Sequence, residues 1–441
     1  MKDPDRWRLP ALMLLLLSGC ATTTRVPAPK ILDGIGERSQ LSVPTEATSK
    51  TGSSWPPGLS SSSVLSSDDA ATIAVWNNKQ LQADLATIGI AHGDLIDAGL
   101  LRNPRLDMLI PVGAKPFELI LNYPLEVLWQ RGRRVEAASK AYEQLATSLI
   151  QNGLNAVRDA RIAHADLVLA KERLEVGKKS LSLRSRIVEL TEARLRAGDI
   201  SELEAIAARS DRAVASEQFA RLSHDVEVAN ERLRFSLGLA RETTGTLAVK
   251  GETVMTASPL PVAELVEKAM SVRADLKAAE LAIATAVNRA GWERSRRLAL
   301  VSGQLSSKEV GTNGLLTGPG LSIELPIFNR NQGLIARADA DVEVATRQYL
   351  ALKQRVAFEV QESRALLLQA QAGLEKVNQE VLPALRSTVQ LADQQYQKGE
   401  VAYLFVLEQT RGMIDAQLRL ADSEAAVRRG FAQLERSVGS R

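Results

Sequence analysis

The sequence predicts a mainly α-helical fold with a small β part, laid out as two tandem repeats of helix, β-hairpin, long helix, turn and helix. Three observations carry this. Gln130 to Ala197 is a proline-free stretch rich in Ala, Leu, Arg, Glu and Gln, and Gln332 to Gln397 is a second one, interrupted only by Pro383. A helix as long as the first would span roughly 100 Å, where ordinary helices run three or four turns. The halves also share a register. Gly132 and Gly333, Gly198 and Gly399, Ile200 and Val401, and Leu203 and Leu404 are each 201 residues apart, while Leu81 and Leu276, and Ile88 and Ile283, are 195 apart. A spacing held over so much chain marks an internal repeat, and the offset of six falls in loop and strand, where insertions are cheap. Finally, two short segments of period-two alternation precede each long stretch.

The chain opens with a basic segment (Lys2, Arg6, Arg8) and an apolar run, Leu9 to Leu17. The run is shorter than the ~20 residues of a spanning helix but suits a signal peptide over 1–19. Leu17-Ser18-Gly19-Cys20 looks like a lipobox, with Cys20 the site of covalent lipid. Cys20 is also the only cysteine, so no intramolecular disulfide can form. Ala21 after it resembles lipoproteins sent to the outer membrane. Residues 20–67, rich in Ser, Thr, Pro and Gly, read as a tether ordered only by what it lies against.

The first repeat (68–240) opens with a helix from Asp68 to Leu101, its apolar residues at helical spacing. It ends at Asn103-Pro104, because a residue before proline disfavours the helical region. A hairpin over about 105–128 follows. Leu106, Met108, Ile110 and Val112 share one face of its first strand; Phe117, Leu119, Leu121 and Tyr123 share one face of the second. After the long helix (130–197), Gly198 suits the left-handed position that closes a helix, and Ser201 with Glu204 has capping-box spacing. A returning helix runs to Leu237. An equatorial linker, 241–261, shows no clear periodicity. The second repeat (262–441) reads likewise: a helix from Val262 to Leu298, a hairpin over about 299–328 with a loop from Gly311 to Gly320, a long helix over 332–397, a turn at Lys398-Gly399-Glu400 and a last helix to Val438. The first and returning helices together nearly match the long helix in length, so two short helices can stack end to end beside a long one.

Four strands with an apolar face cannot close a membrane barrel alone, since such barrels begin at eight strands. Two readings are open: a soluble four-stranded sheet, or an oligomer that pools strands, its aliphatic face on lipid and its polar face (Glu118, Asn122, Ser322, Glu324) on water. The lipobox favours the second. His92, His164 and His224 are far apart, and no metal-ligand spacing, phosphate loop, nucleophile elbow or dinucleotide fingerprint occurs. No enzyme, cofactor or metal site is expected. A net charge of +3 does not suggest nucleic acid.

Trp76-Asn77-Asn78, the run Ala98 to Pro104, the run Leu325 to Gly333 and the two glycine turns together resemble the TolC-type outer-membrane efflux factors over about 68–438. The Phe328-Asn329-Arg330-Asn331-Gln332-Gly333 segment is most similar to the branch serving heavy-metal cation pumps. The resemblance implies a homotrimer with a 12-stranded barrel in outer-membrane lipid and a periplasmic α-helical barrel in a Gram-negative bacterium. It also implies docking to a periplasmic adaptor and a proton-driven inner-membrane pump of the resistance-nodulation-division type. The family's adaptor-docking and entrance tips map onto Gly198, Asp199, Ile200, Gly399, Glu400 and Val401. In a trimer Asp199 and Glu400 would ring the axis with carboxylates and attract cations; alternatively, each only favours the dipole of the helix it precedes. A lipid-anchored coiled-coil adaptor or scaffold without a pore is the competing reading. It explains the lipobox and the long helices but not hairpins at equivalent repeat positions. Leu149, Leu154, Val157, Ile162, Leu167 and Leu169 form a stripe wider than a heptad seam, as a helical barrel needs.

Overall fold

The computed structural model describes residues 28–42, 54–113, 116–239, 245–252, 260–297, 300–310, 314–398 and 400–440. The expected signal peptide, Cys20, much of the expected tether, parts of the expected linker and Gly399 lie outside these residues. The elements are α1 (Ala28–Ser39), α2 (Ser67–Asn77), α3 (Lys79–Gly99), β1 (Arg105–Leu109), β2 (Glu118–Pro124), α4 (Val127–Ala197), α5 (Glu202–Ser236), α6 (Val262–Val272), α7 (Ala274–Ser295), β3 (Leu300–Glu309) and β4 (Leu315–Glu324). Then follow α8 (Gln332–Lys376), a π turn (Val377–Val381), α9 (Leu382–Gln397) and α10 (Tyr403–Val438). They group into two compact units.

The first unit holds Leu85–Ser148 and Asp275–Ala351. Its centre is an antiparallel sheet of order β1-β2-β3-β4. The foot of the sheet is tied to the helices by polar contacts. Arg131 Nε donates to the Gly99 carbonyl (2.7 Å) and Arg134 Nε to that of Ala98 (2.8 Å), so two arginines of α4 satisfy the orphan acceptors ending α3. Asn331 sits at φ 61°, a left-handed conformation that asparagine tolerates. Its amide donates to the backbone (2.9 Å) and carboxylate (2.7 Å) of Glu293, pinning the loop before α8 onto the end of α7. The second hairpin corrects the sequence reading. β4 begins at Leu315 and runs through Gly318, Pro319 and Gly320, expected to be loop, and it ends at Glu324 rather than Ile327. β4 is an edge strand, where a proline's missing donor and glycine's missing side chain are tolerated.

The second unit holds Ala28–Asp84, Leu149–Ala274 and Leu352–Arg441. Leu65, Ile73, Leu167, Leu233 and Leu237 form part of its core. Both opening helices are interrupted, which the sequence reading did not anticipate. Asn78 (ψ 113°) separates α2 from α3, and Arg273 (ψ 127°) separates α6 from α7. The Asn78 side chain accepts from Leu81 N (3.1 Å) and so starts α3. Each break abuts a left-handed glycine just past a returning helix. A Cβ on Gly238 (φ 62°) would lie 2.4 Å from the Asn77 carbonyl oxygen, and one on Gly439 (φ 85°) 3.2 Å from Arg273 Cα. Only glycine combines that φ with that approach. Buried Arg273 donates to Glu359 (2.8 Å) and to the Ser437 carbonyl (2.8 Å), and Arg436 shares Glu359 (2.6 Å).

Two further departures have plain causes. α4 is one helix of 71 residues, but its counterpart is broken by the π turn, where Leu382 N–H bonds the Val377 carbonyl. Pro383 follows at once; a proline offers no N–H and crowds the preceding turn, and a widened turn relieves that. The expected tether contains α1, whose Ile31, Leu32 and Ile35 are buried. Ile35 fills the gap left by Gly153 of α4, where any Cβ would lie 2.1 Å from its Cδ1. A one-sided 12-residue helix is marginal in isolation; the receiving groove orders it. Leu65, in the expected tether, pairs with Val249 of the linker as a parallel bridge.

Two predictions follow from this packing. Gly153→Val should expel α1, and hydrogen exchange of its amides should accelerate at least about tenfold; unchanged exchange would mean that the groove does not hold it. The second concerns pH. His164 is buried with Nε2 donating to the Leu65 carbonyl (2.9 Å), and burial holds its pKa below the ordinary value. The unfolded chain therefore binds the extra proton first. His164 costs stability as the pH falls below about 6.5 and does so increasingly until the folded-state value is passed. Melts at pH 7.5 and 5.5 should show a drop that His164→Gln reduces; an equal drop in both proteins refutes it.

Candidate functional site: a polar strand face and two helical turns

The register segregates the sheet chemically. Glu118 stands opposite Lys308, Asn122 opposite Gln304 and Arg105, Ser322 opposite Ser302, and Glu324 opposite Leu300. Directly opposed residues share a face, so Glu118, Asn122, Ser322 and Glu324 lie on one side. Arg105, Asp107, Gln304, Ser306 and Lys308, which the sequence reading did not single out, join them; the alternation of Arg105-Leu106-Asp107-Met108 was the available signal. A hydrogen-bonded row crosses three strands. Gln304 Nε2 donates to Asn122 Oδ1 (2.7 Å), Asn122 Nδ2 to Asp107 Oδ2 (2.7 Å), and Arg105 Nε to the same carboxylate (3.1 Å). The opposite face carries Leu106, Met108, Leu305, Leu321 and Ile323, all exposed. β1 and β4 are open edges.

The first helical turn closes α4 through Gly198 at φ 82°. Asp199 N donates to the Arg194 carbonyl (3.0 Å), and Gly198 N to that of Leu195 (3.0 Å). The cap of α5 is Ser201, whose hydroxyl accepts from Glu204 N (3.3 Å). The carboxylate of Glu204 accepts from that hydroxyl (3.4 Å) and not from the Ser201 amide, so half of the expected capping box is present. In the second turn Glu400 N donates to the Gln395 carbonyl (2.9 Å), and the cap position of α10, Ala402, makes no side-chain cap bond. Asp199 and Glu400 are exposed; Ile200 and Val401 are half-buried.

Beside these turns lies a cavity of about 460 Å³, lined by residues of both hairpins, among them Ile200, Leu203, Leu407 and Ala402. Polar contacts cross between the hairpins there. Arg194 Nη1 donates to the Tyr396 hydroxyl (2.8 Å), and Arg411 pairs with Asp211. Arg184 lies 3.9 Å from the same carboxylate. Sequence reading missed these residues, because partners about 200 positions apart leave no local pattern. Among the described residues no group of three or more His, Cys, Asp or Glu is placed to hold a metal ion, and no helix is long and apolar enough to cross a membrane.

Residues 265–440 match the family described as outer membrane efflux protein. The cobalt-zinc-cadmium resistance protein CzcC of Cupriavidus metallidurans is 25% identical over 385 residues, covering 85% of this chain and 90% of its own. A probable outer membrane lipoprotein, SilC of Salmonella typhimurium, is 27% identical over 265 residues, 58% of this chain and 57% of its own. Among solved structures, CusC superposes with a TM-score of 0.71 at 19% identity, covering 92% of this chain and 98% of its own. The outer membrane protein VceC of Vibrio cholerae gives 0.70 at 18%, covering 85% and 96%. With its helical hairpins and its small antiparallel sheet, the chain has the fold of these outer-membrane proteins, and its C-terminal part carries the outer membrane efflux protein match.

Proposed function

We propose that this chain is a TolC-type outer-membrane channel, the passive exit duct of a tripartite heavy-metal efflux system, carrying cations from an inner-membrane pump and periplasmic adaptor to the outside. The observation that carries the reading is the four-stranded sheet with one polar face, one exposed apolar face and two open edges. Three copies would join β4 of one chain to β1 of the next and close a 12-stranded barrel. The apolar face would then meet lipid and the polar row, including Glu118, Asn122, Ser322 and Glu324, would line water. The heavy-metal assignment draws on the name of CzcC and on the Phe328 to Gly333 segment. The duct itself performs no chemical step and holds no cofactor.

The tandem-repeat layout and its domain limits belong to this proposal. They are supported by helix breaks at Asn78 and Arg273 that stand 195 residues apart, and by glycines 238 and 439 that stand 201 apart, the spacings found in the sequence. Lipid on Cys20 is the proposed anchor. Gly198, Asp199, Ile200, Gly399, Glu400 and Val401 are the proposed entrance and adaptor-docking tips. Since Ser201 supplies the side-chain cap of α5, the exposed Asp199 carboxylate is left for an axial ring or a basic adaptor residue.

Detergent-purified full-length protein should run as a trimer and give small, discrete conductance in planar bilayers. Asp211→Asn with Arg411→Gln should raise conductance by removing a tie between the hairpins, and Asp199→Ala with Glu400→Ala should lower cation preference. A monomer without conductance would reject the duct. A conducting trimer whose ion preference ignores Asp199 and Glu400 would reject the acidic entrance alone.

A further inference from the structure

We infer that the foot of the sheet is a binding belt for anionic phospholipid headgroups, which fixes how deep the channel sits in the membrane. The inference rests on the barrel reading above. All four strands meet the helices at one rim, through the starts of β1 and β3 and the ends of β2 and β4. The four segments crossing it are 98–102, 125–134, 291–297 and 325–334. Contacts bind them together: Arg131 and Arg134 to the end of α3, Arg133 to the Gly291 carbonyl (2.9 Å), and Asn331 to Glu293.

Each segment presents large apolar groups, arginines, or both. Phe328 is 91% exposed, Leu325 69% and Leu128 67%, and Trp129, Leu100 and Leu101 are exposed as well. Arg296 stacks over the Trp292 ring at 5.5 Å. The four segments contain eight arginines and no lysine, and their only acids, Glu126 and Glu293, are buried. Glu126 pairs with Arg102 (4.0 Å), Glu293 with Arg296 (3.0 Å) and Asp339 with Arg294 (2.7 Å), so the rim keeps a surplus of positive charge on its other arginines beside exposed aromatic and aliphatic groups.

Two occupants are conceivable. A neighbouring copy would bring the same surplus of arginine to its own rim, and such a surface does not complement itself. A phospholipid leaflet supplies both halves of the match: acyl chains for Phe328, Leu325 and Leu128, and phosphates for guanidinium groups, which bind phosphate in a two-pronged fashion that an ammonium cannot reproduce. The belt also continues the apolar sheet face, since Leu325 follows Leu321 and Ile323 in the same alternation. Aromatic and aliphatic groups beside arginine are what the edge of a hydrocarbon layer selects.

The experiment uses full-length protein in vesicles of phosphatidylethanolamine with or without phosphatidylglycerol. A nitroxide is placed at Phe328→Cys, with unsubstituted protein as the labelling blank, and its depth is read by relaxation from oxygen and a water-soluble nickel chelate. Binding of phosphatidylglycerol is measured on the same preparations and on Arg297→Gln/Arg330→Gln, which spares the arginines that tie the helices or pair with Glu126, Glu293 and Asp339. The nitroxide should sit within about 10 Å of the phosphate level, and the double variant should bind phosphatidylglycerol at least about tenfold more weakly while keeping its conductance. A label shielded from both relaxants in an intact trimer would assign the rim to protomer contacts and overturn the belt. So would unchanged phosphatidylglycerol binding. Loss of conductance in the unsubstituted protein would instead strike the barrel reading beneath it.

Discussion

The rest of the structure depends on an unsatisfied sheet. Four antiparallel strands leave unpaired donors and acceptors along β1 and β4, and one face is aliphatic and exposed. In water such edges are templates for further pairing, and natural proteins normally blunt them. Among the described residues neither edge is covered by a helix, and the strands carry a sorted pair of faces rather than the mixed polarity of a solvated surface. Closure with like strands, in a medium that accepts Leu106, Met108, Leu321 and Ile323, removes both liabilities at once. The polar row from Gln304 through Asn122 to Asp107 and Arg105 is then held ready on the inside by hydrogen bonds already formed within one chain.

How much of this was legible in the sequence depends on the range of the signal. The long helix over 130–197, the glycine turn at 198 and the alternation of β2 are local patterns, and they read out correctly; β1 does alternate but stops at Leu109, short of Ile110 and Val112. The breaks at Asn78 and Arg273 did not, because helical periodicity runs through them and what fixes them is remote: Gly238 against the Asn77 carbonyl, and Ser437 and Glu359 around the Arg273 guanidinium. α1 was hidden for the same reason, as its partner Gly153 lies over a hundred residues away. β4 was misplaced because Gly318-Pro319-Gly320 is a loop signal everywhere except on a sheet edge. The π turn beside Pro383 is intermediate: proline announced an irregularity without saying which.

At the site the same division holds. Glu118, Asn122, Ser322 and Glu324 could be chosen from alternation alone, and the register places them together. Their neighbours Asp107 and Lys308 required strand pairing. At the turns, Gly198 and Ser201 were readable from cap chemistry, whereas Asp211, Tyr396 and Arg411 come together only through the meeting of two hairpins.

Those ties set a scale for any opening of the tips. Asp211 and Arg411 are partly exposed, as are Arg194 and Tyr396. Such pairs contribute about 0.5–1 kcal/mol each after solvent screening. Two per chain in a trimer would amount to about 3–6 kcal/mol, a bias of roughly 10²–10⁴ toward the tied state. A bias of that size would keep the proposed duct shut at rest, yet it lies within the differential affinity that one docked partner can supply. A tighter, fully buried set of ion pairs would resist a partner, and the absence of any tie would leave the entrance open. Partly exposed pairs beside an apolar cavity fall between these limits, which is where the entrance proposed above would have to lie if a docked partner opens it.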